Sequence, residues 1–170
     1  MSQNLDSLRN TVSEKGAATT GVLQYLTFTV QGEEYGIDIM TVREIKGWTS
    51  VTRLPNTPEH MRGVMNLRGI IVPIFDLRAR FTGKMGEATA SSVIIILAVG
   101  DRNIGVLVDS VSDILNVAAS EVKPAPETND MAGAKFITGL ISLDKRMVVI
   151  LDIQHVFDSK DIESTAQAVA

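Results

Sequence analysis

The sequence predicts an all-β chain assembled from two copies of one small barrel-like unit, with only short helices. Three features carry that expectation. Apolar runs of strand length, rich in Val and Ile, recur between Gly, Asp and Asn residues. Helical signals extend for little more than a turn. Two blocks of the first half return in the same order in the second half.

The chain has 170 residues, 45% of them hydrophobic, enough for a real core in one domain or in two small, closely joined ones. It contains no cysteine, so a disulfide framework and a thiolate metal site are both excluded, and a reducing cytoplasm is the expected location. The N-terminal residues carry no apolar signal-peptide core. The longest apolar run, Val93 to Val99, is far shorter than the roughly 20 residues of a membrane span, so no direct membrane insertion is expected. A net charge of −4, with no basic stripe and only 5% aromatic residues, argues against nucleic acid as a partner. A protein partner is expected instead.

Residues 1–21 are polar and lack a sustained period, which predicts a mobile tail. Removing residues 1–18 is accordingly expected to change stability by less than about 1 kcal/mol on chemical denaturation; a larger loss would show that the tail is packed. Leu26, Phe28 and Val30 alternate with Thr27 and Thr29, and Tyr35, Ile37 and Ile39 resume the alternation after Gln31-Gly32-Glu33-Glu34. That is a hairpin. Further strands are predicted at Ile70–Phe75, Val93–Val99, Ile104–Val108, Ile137–Ile141 and Met147–Leu151. Pro73 lacks a backbone donor, so its strand is expected at an edge or bulged there. The stretch Thr57–Gly63 reads as about one helical turn, with Pro58 at the first helical position. Asp76 and Asp152 read as N-caps of short helices over Leu77–Phe81 and Ile153–Phe157. Residues 158–170 form a polar, Ala-rich tail or a helix extension.

The repeat is the most informative feature. A shift of 69 residues places Gly36 on Gly105 and carries Val42, Glu44 and Ile45 onto Val111, Asp113 and Ile114. A shift of 76 places Gly63 on Gly139 and carries Val72, Ile74, Phe75 and Asp76 onto Val148, Ile150, Leu151 and Asp152. The second copy thus holds about seven extra residues, expected in the loop from Lys123 to Ala134. Two copies follow, at about 22–81 and 92–157, joined by Thr82–Ser91. A unit of that size suits a small barrel, which removes the free edges of an open sheet. Leu107 stands where the first copy has Asp38, and Val93–Val99 is apolar on both faces, so the second unit is expected to be the more deeply buried.

No nucleotide-binding or nucleophile motif occurs, and two histidines without paired spacing make no metal site, so neither catalysis nor a cofactor is expected. Asp76 and Asp152, one from each copy, raise the arrangement of an acid protease, where two carboxylates share a proton. Neither lies in an Asp-Thr/Ser-Gly loop, and the capping position accounts for both. A hydrolase would lose its activity on Asp76→Asn; a nucleic-acid binder would lose affinity steeply with salt. Glu44 and Asp113 are equivalent acidic positions whose ordinary reading is a solvated strand end. Arg68, in the tight connection Asn66–Gly69, is a frequent type of protein-contact residue, because its planar fork engages carboxylates in two bonds.

Four stretches together carry a family likeness: Glu34-Tyr35-Gly36-Ile37-Asp38-Ile39, Val42-Arg43-Glu44-Ile45, the run from Gly63-Val64-Met65-Asn66-Leu67-Arg68-Gly69 to Pro73-Ile74-Phe75-Asp76-Leu77, and Gly105-Val106-Leu107-Val108-Asp109. They resemble the CheW chemotaxis coupling proteins, from about Leu23 to Phe157. The resemblance implies two SH3-like five-stranded β-barrel subdomains. It also implies an adaptor without catalytic activity, linking the cytoplasmic tip of methyl-accepting chemoreceptors to the regulatory domain of a CheA-type histidine kinase. By position, Val42, Glu44, Arg68 and Val93 match receptor-coupling sites, whereas Gly63, Lys123 and Pro124 match regions facing the kinase. Such a protein would be cytoplasmic and brought to membrane receptor arrays by its partners.

Overall fold

A computed structural model of the chain describes residues 21–57, 60–82, 86–124 and 136–156. The expected tails, the insertion beyond Pro124, Pro58-Glu59 and Phe157 lie outside those residues. The N-terminal alternation forms the hairpin of β1 (Val22–Val30) and β2 (Glu33–Asp38). Its two turn residues, Gln31 and Gly32, both have positive φ, the turn that matches the twist of paired strands. A 3-10 turn (Ile39–Thr41), in which the Met40 amide donates to the Asp38 side chain, leads into β3 (Val42–Gly47). There follow β4 (Met61–Leu67), β5 (Ile70–Asp76) and a helix, α1 (Leu77–Thr82). The second copy supplies β6 (Val93–Val99), β7 (Arg102–Val108), β8 (Ser110–Ala118), β9 (Val122–Lys123), β10 (Ile137–Leu143), β11 (Arg146–Leu151) and α2 (Ile153–Val156).

The strands make one six-stranded sheet, in the order β8-β1-β2-β11-β10-β9, and one five-stranded sheet, in the order β3-β6-β7-β5-β4. Under the repeat registers, β1 to β5 correspond to β6, β7, β8, β10 and β11, so the two orders are the same order. Each sheet therefore takes its N-terminal hairpin from one copy and its remaining strands from the other. The division at about 22–81 and 92–157 follows the repeat, and the sheets cut across it. The parallel junctions make the exchange explicit: Gly36 of β2 pairs with Ile150 of β11, and Gly105 of β7 pairs with Ile74 of β5. A Cβ on Gly36 would come within 2.9 Å of Ile150 Cδ1, and one on Gly105 would run into Ile74 Cδ1. The same close approach requires glycine twice.

Both sheets curl until their end strands meet. Thr52, following β3, exchanges backbone hydrogen bonds of 2.9 and 2.8 Å with Val64 on β4. In the six-stranded sheet the end strands β8 and β9 are joined directly by the 3-10 turn Ala119–Glu121. The alternation along β6 explains why that strand is apolar throughout. Val93, Ile95 and Leu97 enter the core shared with Leu26, Phe28 and Ile37, while Ile94 and Ile96 pack inside the five-stranded sheet with Val72, Ile74 and Leu107. Val117, Ile141, Val148 and Ile150 fill the inside of the six-stranded sheet.

Two local expectations are corrected. Met61, Arg62 and Gly63 are strand, not helix, because Met61 pairs with Phe75 and Gly63 with Ile74 across a bulge at Arg62. Pro73 lies in an interior strand, between β4 and β7, and pairs with Val64 without a bulge. Val64 directs both its amide and its carbonyl to Thr52, so nothing on β4 requires a donor from Pro73. On the other side the ladder to β7 starts only at Ile74. The missing N–H falls where no partner strand needs it.

Candidate functional site

Arg68 and Gly69 form the two-residue turn between β4 and β5, with φ of 53° and 87°. Asn66 Oδ1 braces it by accepting from the Gly69 amide at 2.7 Å. A non-glycine residue takes the left-handed region at some cost in free energy. Here that conformation carries the Arg68 side chain across the closed end of the barrel to β3. Its Nη1 and Nη2 donate to Glu44 Oε2 at 2.9 and 2.6 Å. The Arg68 side chain is 69% exposed and Glu44 21% exposed, so the pair contributes little to stability, about 0.2–1 kcal/mol. It presents a fixed charge pair to solvent beside the exposed side chains of Ile70 and Ile71.

The other predicted positions divide. Val42 is half-buried at the start of β3 and packs against the shared core two residues before Glu44. Val93 is 4% exposed inside that core and offers no side chain to a partner. Gly63 has φ of 150°, and a Cβ there would run into the Thr52 carbonyl, so this glycine serves the barrel closure. Lys123 and Pro124 are exposed at the end of β9, in the other sheet, with Lys123 Nζ donating to the Ser120 carbonyl at 3.2 Å. Val42, Glu44 and Arg68 thus share one region, whereas Gly63 and Lys123 belong to different sheets. Asp113, the repeat equivalent of Glu44, bonds locally: its Oδ1 accepts from the Ile114 amide.

One strong polar pair escaped the sequence reading. Asp76 does cap α1, accepting from the Ala79 amide at 3.3 Å, but its Oδ2 also takes two bonds from Arg62, at 3.0 and 2.8 Å. The Arg62 guanidinium lies 5.7 Å from the Trp48 ring centroid and also donates to the Gly86 carbonyl. A bulge inferred at Gly63 would have revealed the pair, since the extra residue in a bulged strand is re-aimed. Asp76 thus holds an arginine as well as a helix end. Among the described residues no group of three or more His, Asp or Glu side chains is placed to hold a metal, and no helix is long and apolar enough to cross a membrane.

Residues 24–161 match the CheW-like domain family. The chain belongs to that family. Among CheW relatives, the chemotaxis protein CheW of Klebsiella aerogenes is 43% identical over 152 residues, covering 89% of this chain and 91% of its own. The chemotaxis protein CheW of Bacillus subtilis is 34% identical, covering 82% and 89%. A crystal structure of the scaffolding protein TtCheW from Thermoanaerobacter tengcongensis superposes with a TM-score of 0.73 at 32% identity, covering 82% of this chain and 94% of that one. The CheW-like fold here is mostly β, in two sheets with few helices. CheW-family proteins are scaffolds of chemotaxis signalling rather than enzymes.

Proposed function

We propose that this protein is a coupling adaptor that binds the cytoplasmic tip of chemoreceptors through the region of Val42, Glu44 and Arg68, and the regulatory domain of a CheA-type histidine kinase through a separate surface near Lys123 and Pro124. Recruitment to membrane receptor arrays would follow from those partners. The observation that carries the reading is the Arg68–Glu44 pair. It is held by a turn of unfavourable backbone conformation, exposed, and of little use to the core. Arg, with Trp and Tyr, is enriched among the residues that anchor protein interfaces. Lys123 and Pro124 lie on the other sheet, which lets two partners be held at once.

Arg68→Glu tests this. Receptor binding is expected to weaken about 30-fold, the equivalent of about 2 kcal/mol at an interface anchor. Binding to the isolated kinase regulatory domain is expected to stay near normal, and the stability change small, within about 1 kcal/mol. The two titrations are run on protein shown to melt like wild type. The double reversal Glu44→Arg with Arg68→Glu restores the internal pair but not receptor binding. Equal weakening toward both partners, or none toward the receptor, would remove Arg68 from the interface.

A further inference from the structure

β3 is the end strand of the five-stranded sheet, with β6 as its neighbour on one side. On the other side it faces β4 across a seam. Among the described residues, backbone hydrogen bonds close that seam only past the end of β3, between Thr52 and Val64. Nearer the start of β3 the Arg68–Glu44 pair crosses it. A bulge shapes the strand here: Val42 pairs with Leu97 and Glu44 with Ile96, so Arg43 is the extra residue and stands exposed. Lys46, half-buried, lies opposite Ile94 and shares the inner face of β3 with Glu44. Arg43 and Lys46 make no ion pair among the described residues.

The repeat shows that these charges are particular to the first copy. Arg43 and Lys46 correspond to Ser112 and Leu115 of β8, and Glu44 and Arg68 to Asp113 and Asp144. At these positions the first seam gathers three cations around one carboxylate, and the second has two carboxylates and no cation. The chain as a whole has a net charge of −4, so the first seam runs against the overall charge. The fold gains nothing from that arrangement, since the unpaired cations of one strand repel each other. Exposed apolar surface adjoins the Arg68 end, where Ile70 is 58% and Ile71 49% exposed.

We propose that the seam between β3 and β4 is a docking track for an acidic segment of a partner protein. Its carboxylates meet Arg43 and Lys46, and its apolar residues rest on Ile70 and Ile71. The track includes Glu44 and Arg68, so it rests on the reading of that region as an interface, and it adds the chemistry of what binds there.

The probe is the peptide acetyl-Glu-Leu-Glu-Leu-Glu-amide, followed by amide chemical shifts of the full chain. Saturable shifts at Arg43, Glu44, Lys46 and Ile71 are expected, with a Kd on the order of 1 mM for so small a ligand. The neutral peptide with glutamine at all three acidic positions is expected to bind at least about tenfold more weakly. Arg43→Gln alone, at an exposed position, is expected to weaken the acidic peptide about threefold, and Arg43→Gln with Lys46→Met at least about tenfold. Both variants are to be shown to melt like wild type; should the double variant fail that check, Arg43→Gln decides. A receptor cytoplasmic fragment, titrated in parallel, separates this proposal from the receptor reading. If Arg68→Glu weakens the receptor while the double variant leaves both peptide and receptor binding unchanged, the track is overturned and the receptor reading stands. Loss of peptide binding with the receptor unaffected upholds the track and gives it a different acidic partner. Equal binding of the neutral peptide, or no saturable shift at these four residues, would overturn the proposal.

Discussion

Cut between Gly86 and Glu87, the two halves of the chain are expected not to fold alone and to regain the native sheets on mixing. Residues 21–86 hold β1 and β2 of one sheet and β3, β4 and β5 of the other. Alone, the first pair would lack both of its neighbours, β8 and β11, and the other three would lose the strands β6 and β7 that join them. The shared core would lose Val93, Ile95, Leu97, Ile104 and Val106 in one step. Two isolated strands are at best marginally stable in water, so neither fragment has a unit to fall back on. Circular dichroism and amide spectra of each fragment should lack a cooperative transition and dispersed signals, and both should return at equimolar ratio. The copies are equivalent, so a fragment could regain its missing hairpin from a second copy of itself. Sedimentation separates that case from a folded monomeric half, the result that would show the exchange is dispensable.

Asp76→Ala is expected to have the largest effect of any single polar substitution described here, a loss of about 3–5 kcal/mol. The side chains of Asp76 and Arg62 are 5% and 15% exposed. Truncating the aspartate removes two charge-assisted bonds, leaves the guanidinium without its carboxylate, and uncaps α1. Asp76→Asn keeps a capping oxygen and is expected to lose less. Arg62→Met combined with Asp76→Ala should cost less than the sum of the single changes, because the buried charge that makes the single change severe is gone. Urea denaturation of the four proteins supplies the cycle. Strict additivity would show that the two side chains act independently.

Much of the fold was legible because strand periodicity and the repeat are local signals. The hairpin at Gln31-Gly32, the strands from Ile70, Val93 and Ile104, and the caps at Asp76 and Asp152 each follow from a few neighbouring residues. The strand exchange was not legible. Both copies encode the same sheet, and nothing in a repeated sequence states which copy of β2 pairs with which copy of β11. Pro73 misled for a related reason: its cost depends on where the partner ladders start, which is set by Thr52 and Ile74 rather than by its own neighbours. On the surface, Arg68 and Glu44 were singled out separately, and their pairing needed barrel closure to appear. Val93 was placed at an interface by position, yet strand alternation points it inward with Ile95 and Leu97. The Arg62–Asp76 pair went unseen because a bulge shifts the facing of one residue without leaving a composition signal.

The exchanged hairpin also sets a timetable for synthesis. Leu26, Phe28 and Ile37 leave the ribosome early, but β1 must wait for Ser110–Ala118 and β2 for Arg146–Leu151 before either has its full set of neighbours. Thr27 and Asp113, which bond to each other, are 86 residues apart. Translation at roughly 5–20 residues per second spaces those two by several seconds. Throughout that interval both edges of the nascent hairpin are open to other chains, the condition under which strands pair wrongly. Elongation slowed between Gly100 and Lys145, or a chaperone withdrawn, should therefore lower the soluble yield of this protein more than a stability measurement on the finished chain would suggest.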